Sequence, residues 1–166
     1  MLYLRLVNQH LSSARLLLAE LSGHDNPSVS LQRALEQGVQ HLLNSAYLCQ
    51  LRAIADNYHC SDVATLSDIQ ALLAALAVND SPAPEAAEIL ALSNESWLGE
   101  MLNAWRQLCL PMPVQTFTAS DATVSQSEIS VREDIRALSV DAEKLGCWLE
   151  ALDELTQRHN EMMTEY

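Results

Sequence analysis

Apolar side chains recur along this chain in alternating steps of three and four. From Leu2 to Leu21 the stripe reads Leu4, Val7, Leu11, Ala14, Leu18 and Leu21, a spacing that places every member on one side of a helix and leaves the other side polar. Gly23 ends this first helix, and the run from Gly23 to Ser28 supplies a turn followed by an N-cap at Ser28 or Ser30. A second stripe, Leu31, Leu35, Val39, Leu42, Ala46, Cys49 and Ala53, is widened by Leu43, Tyr47 and Ile54 and predicts a helix over residues 29–58. At 1.5 Å per residue it is roughly 45 Å long, the height of a tall four-helix bundle. Gly38 interrupts a series of good helix formers there and reads as a close-packing position.

The pattern then shortens. Two pieces, Leu66 to Val78 and Ala83 to Leu92, flank the breaker run from Asn79 to Pro82, with Ser81 as N-cap and Pro82 in the first helical position. A further helix starts near Asn94, carries Trp97, Leu98, Met101, Leu102, Trp105 and Leu108 on one side, and stops before Pro111. These pieces replace one long arm of a bundle with a broken one. Residues 111–128 are rich in Pro, Ser, Thr, Ala and Asp and form a long connection, in which Phe117, the only phenylalanine, is read as an anchor pinning the loop to the bundle. The last helix opens with a capping box, Ser130 and Glu133, and continues through Ile135, Leu138, Ala142, Leu145, Leu149 and Leu152. Trp148, Leu155, Met162 and Met163 extend it almost to Tyr166, long enough to overhang the bundle and seek a second copy in a homodimer, and Gly146 is read as a close-packing position that pairs with Gly38. The fold class is therefore all-α: a four-helix-type up-and-down bundle with one arm broken into short helices, residues 1–166 forming a single domain.

Length agrees with this reading, since 166 residues bury a core without metals or disulfides. Charge changes the picture more. Asp and Glu number 22 against eight Arg and the single Lys144, a net charge of −13. Such a field repels DNA, RNA and anionic membranes and favours a basic protein partner. The acids thicken between Glu128 and Glu165, where ten face only Arg132, Arg136, Lys144 and Arg158; acids spaced along a helix are first of all its solvated face. Cys49, Cys60, Cys109 and Cys147 show no Cys-x-x-Cys and no framework spacing, the N-terminus lacks signal-peptide character, and no apolar run is long enough to cross a bilayer. The expected compartment is the cytoplasm, with reduced, mostly structural thiols.

Sites of familiar chemistry are not visible. No Glu-x-x-His of a carboxylate-bridged metal pair occurs, and His10, His24, His41, His59 and His159 are scattered. Tyr58, His59, Cys60 and Asp62 cluster at a helix end without the spacing of a zinc site. Gly23, Gly38, Gly99 and Gly146 lie too far apart for a phosphate loop, and no Gly-x-Ser-x-Gly elbow exists. No metal, no cofactor and no catalytic residue are expected.

Two resemblances bear on function. Arg52, followed by six residues and then His59, resembles the Arg and His pair of the HEPN helical domains. That likeness implies a ribonuclease, or an inactive relative, in which Arg52 positions phosphate and His59 transfers protons across a dimer cleft; Ala53 stands where that family usually has a polar residue. The stretches Leu6 to Leu18, Ala46 to His59 and Ser96 to Leu108 resemble a family of small uncharacterised gamma-proteobacterial helical proteins carried as a domain of unknown function. This second resemblance implies a bacterial helical protein and no catalytic residue. The leading expectation is a non-catalytic interaction or adaptor module, with the HEPN-like ribonuclease and a small-molecule pocket lined by Trp97, Trp105 and Trp148 as alternatives. Arg52 and Arg106, set in apolar stretches, are expected to pair with acids such as Asp56 or Glu100.

Overall fold

The computed structural model describes residues 2–23, 27–110 and 140–164. Among the described residues are six α-helices and no strand: α1 (Leu2–Gly23), α2 (Val29–Asn57), α3 (Ile69–Val78), α4 (Pro84–Glu95), α5 (Trp97–Cys109) and α6 (Ala142–Thr164), with a 3-10 turn at Val63–Thr65. The capping box at Ser130, the helix positions Ile135 and Leu138, Phe117 and the expected loop at 111–128 lie outside the described residues.

α1 and α2 coincide with the two long stripes. Of the two candidate caps, Ser28 is the one used: its hydroxyl accepts from the Leu31 N–H at 3.2 Å. α2 ends in a Schellman turn, in which the Cys60 N–H reaches the Ala55 carbonyl at 2.9 Å and the His59 N–H reaches Asp56 at 3.2 Å. His59 therefore sits in the left-handed region at φ 54°. α3 closes in the same way, with Ser81 bonded to Leu76, Asp80 to Ala77, and Asp80 at φ 47°. Neither turn has the glycine that ordinarily fills this position, so His59 and Asp80 carry its steric cost.

That closure explains a difference from the sequence pattern. Ser81 and Pro82 do not start α4; Ser81 completes the α3 turn through its backbone N–H, and its hydroxyl donates to the Asn79 carbonyl at 3.3 Å. The helix starts two residues later at Pro84, which takes the first-turn position where a missing N–H costs nothing. α4 then runs to Glu95, and the extended Ser96 separates it from α5.

Helix directions follow from who meets whom. Arg15 on α1 pairs with Asp153 on α6 at 2.6 Å, while Leu4 and Asn160 line a common groove, so α1 and α6 are antiparallel. α4 and α5 together run against α2, for Tyr58 bonds Glu85 at one end and His41 faces Trp105 at the other. They form the broken third arm, and α3 packs at its start against α2 and α4. Leu43, Leu51, Ile54, Leu72, Ile89, Leu98, Leu145 and Leu152 are fully buried between these layers, each contributing about 1.5–3 kcal/mol relative to exposure.

The glycines divide by what a methyl group would meet. At Gly38 an added Cβ would lie 2.9 Å from Leu17 Cδ1, so α1 and α2 approach closely there, as the sequence suggests. Gly146 has nothing within 4 Å, which corrects its reading as a packing position. At Gly99 the added carbon would sit 2.5 Å from the Ser93 carbonyl oxygen, because the first turn of α5 folds back over the last turn of α4. Gly99→Ala is expected to lower stability by about 2 kcal/mol through a clash with rigid backbone. Gly146→Ala raises it by about 0.5–1 kcal/mol through helix propensity alone. Gly38→Ala falls between them, since a flexible leucine tip can yield; urea unfolding of the three variants checks the order.

Candidate functional site

The stripe of α6 passes through Leu145, Leu149, Leu152 and Leu155 and then reaches His159, which has no solvent contact. A buried imidazole needs a partner at each ring nitrogen. Gln50 on α2 supplies one, its Nε2 lying 3.4 Å from His159 Nδ1. Glu88 on α4 supplies the other, with Oε2 at 3.0 Å from Nε2. The second oxygen of Glu88 takes the Arg158 guanidinium at 2.5 Å. With the Gln50 amide nitrogen turned toward the ring, the arrangement suits a neutral imidazole, in which Nε2–H donates to the carboxylate and the Nδ1 lone pair accepts from the amide. One turn earlier on α4, the buried Glu85 accepts from the Tyr58 hydroxyl at 3.0 Å.

Electrostatics follow from burial. Desolvation pushes the His159 pKa below its ordinary value, and the neighbouring Glu88 and Glu85 carboxylates only partly offset it. Burial alone would raise the Glu88 carboxyl, but the bonds from His159 and Arg158 outweigh it and leave that carboxyl below its ordinary value. Tyr47, buried on α2, is pushed up to about 12 chiefly by desolvation. Burial also raises the thiols of Cys49 and Cys60. A histidine held by a carboxylate is two-thirds of a nucleophile-activating triad. Here the free ring nitrogen faces an amide, neither a hydroxyl nor a thiol, and the ring is sealed from solvent, so the chain Gln50, His159, Glu88, Arg158 ties three helices together.

The residues singled out in the sequence are dispersed. Arg52 is half-buried and donates to the Leu66 carbonyl at 3.1 Å, holding the segment before α3 against α2, while its Nε is buried without a hydrogen-bond partner. His59 is exposed on the Schellman turn. Glu100 pairs with Lys144 at 2.8 Å, while Arg106 is exposed. Of the three tryptophans, Trp97 and Trp148 line one groove with the exposed Cys147, whereas Trp105 stands beside His41 with ring centroids 5.4 Å apart. A second groove, lined by Tyr3, Leu4, Asp56 and Asn160, opens where the start of α1 meets the ends of α2 and α6. Among the described residues no group of His, Cys, Asp and Glu could hold a metal ion, and no helix is long and apolar enough to cross a membrane.

Lowering the pH should read out the buried imidazole. The unfolded chain takes up a proton near the ordinary histidine value of 6.5, while folded His159 resists until a lower pH. Its contribution is therefore fully present above 6.5 and is lost as pH falls through the folded value, with Glu88 adding a further loss below its ordinary 4.5. His159→Gln should cost about 1–3 kcal/mol at neutral pH and flatten the dependence in the window below 6.5; urea midpoints measured across that window check both effects.

No curated protein and no solved structure matches the chain. A family model does match, over residues 1–166, and the chain accordingly belongs to a family of unknown function, DUF6586.

Proposed function

We propose that the chain is a non-catalytic interaction module of the gamma-proteobacterial cytoplasm, and that its partner is a basic protein. The observation that carries this reading is the outer face of α6. Glu143, Glu150, Glu154 and Glu161 stand exposed there at steps of seven, four and seven, one side of a helix. Among the described residues, three cations on or beside α6 are already engaged, Arg15 with Asp153, Lys144 with Glu100 and Arg158 with Glu88. None of the four outer carboxylates is held in an ion pair among the described residues. A row without an ion-pair partner among the described residues, on a chain of net charge −13, attracts and orients a cationic surface. The sealed position of His159 supports the non-catalytic part, because both ring nitrogens are engaged within the bundle.

The test is affinity capture from native cytoplasm at low and moderate salt, with the mass of the complex in solution and the Glu150→Lys/Glu154→Lys variant in parallel. The expected outcome is a stoichiometric basic protein, lost at moderate salt and not retained by the charge-reversed variant. Recovery of RNA or of a homodimer alone would overturn the proposal.

A further inference from the structure

α5 and α6 part along their outer seam to leave two adjoining grooves of about 340 and 500 Å³, which share Glu100, Asp141, Lys144 and Trp148. Trp97 and Trp148 give the larger groove an aromatic lining, and its carboxylates are Glu100, Asp141 and Glu143. Into this setting the chain places its only lysine. The Lys144 ammonium lies 5.5 Å from the centroid of the Trp148 ring and 2.8 Å from Glu100 Oε2. An ammonium over an indole face, with a carboxylate beside it, is the geometry by which proteins recognise organic cations. Here the protein's own side chain occupies that position, and it does so loosely, remaining about half exposed at 49%.

The lining extends from Val140, two residues before α6, to Ala151 within it, and its helical part alone spans roughly 14 Å at 1.5 Å per residue. That length suits a peptide segment better than a single small amine. Charge selects the sign of the occupant: the carboxylates outnumber the one lysine, so a second copy of this chain, at −13, is disfavoured and a basic segment is attracted. We propose that the α5–α6 groove docks a basic peptide segment of a partner protein, one lysine or arginine of which displaces Lys144 from the Trp148 face and pairs with Glu100. The inference rests on the reading of the chain as a module for a basic partner and assigns that partner a seat.

Displacement has an unusual consequence, since removing Lys144 empties the seat. The experiment titrates the full chain into a fluorescent twelve-residue peptide of Lys, Arg and Leu in amphipathic order, reading anisotropy at two salt concentrations. Circular dichroism checks that each variant remains folded. Lys144→Ala is expected to bind about fivefold tighter than wild type and Glu100→Gln about fivefold weaker. Arg5→Ala, which removes the same charge from the exposed surface of α1, should change affinity less than twofold, because screening weakens distant charges beyond roughly 8–10 Å. Equal tightening by Lys144→Ala and Arg5→Ala would show only diffuse attraction and overturn the groove. Displacement of the peptide by n-butylamine at the same concentration would also overturn it, in favour of a small-amine site. If captured basic protein survives in Glu100→Gln but not in Glu150→Lys/Glu154→Lys, the module stands and the assigned seat falls.

Discussion

An imidazole sealed between three helices demands a donor and an acceptor from its surroundings, and that demand sets the register of the bundle. The leucine stripes of α2 and α6 are repetitive, and a slip of one helical turn, about 5.4 Å, would still bring apolar side chains together. The same slip would bring Leu155 or Met163 to the place of His159. The buried Gln50 would then face hydrocarbon, a loss of about 1–3 kcal/mol for a buried polar group without its partner, and the partly exposed Glu88 would lose its imidazole donor. Polar ties of this kind discriminate among packings that apolar burial leaves nearly equal. Even in the native register the accommodation is incomplete, as Gln50 Oε1 remains buried without a hydrogen-bond partner.

The scarcity of cations gives the same helix its outward character. Arg15, Lys144 and Arg158 each join α6 to a different neighbour, α1, α5 and α4 in turn. All three are drawn from only nine Lys and Arg in the chain. These pairs thus withdraw three of the described cations from the task of neutralising the outer acids of α6. An acidic outer face and ion pairs to three neighbouring helices are two results of one distribution of charge.

Much of the fold was legible because it depends on local spacing. The stripes of α1 and α2, the cap at Ser28 and the broken third arm all follow from side chains within a few residues of one another. The buried position of His159 was legible in principle, seven residues after Leu152 and four after Leu155 on the same face, although it goes unrecognised among the scattered histidines. Its role was not, because Gln50 and Glu88 lie 109 and 71 positions away in the chain and only the folded topology introduces them. Gly38 and Gly146 look alike in sequence, yet only Gly38 meets a neighbouring helix. The tryptophans divide for a related reason: Trp97 and Trp148 converge across the α5–α6 seam, while α5 turns Trp105 toward His41. Ser81 carried a sound start signal that the end of α3 claimed first.

The fastening of α6 is uneven along its length. Near its end, His159 and Glu88 form a partly buried, charge-assisted network whose loss leaves groups stranded away from water. Near its start, α5 is joined by the exposed Lys144 and Glu100 pair, of a kind that contributes about 0–1 kcal/mol. Trp148 and His159 lie eleven residues apart on one face, roughly three turns, so a single helix is anchored firmly at one end and lightly at the other. Local opening is easiest where few buried contacts oppose it. The α5–α6 groove coincides with the lightly held half, and a side chain can exchange there without disturbing the register that the buried imidazole enforces.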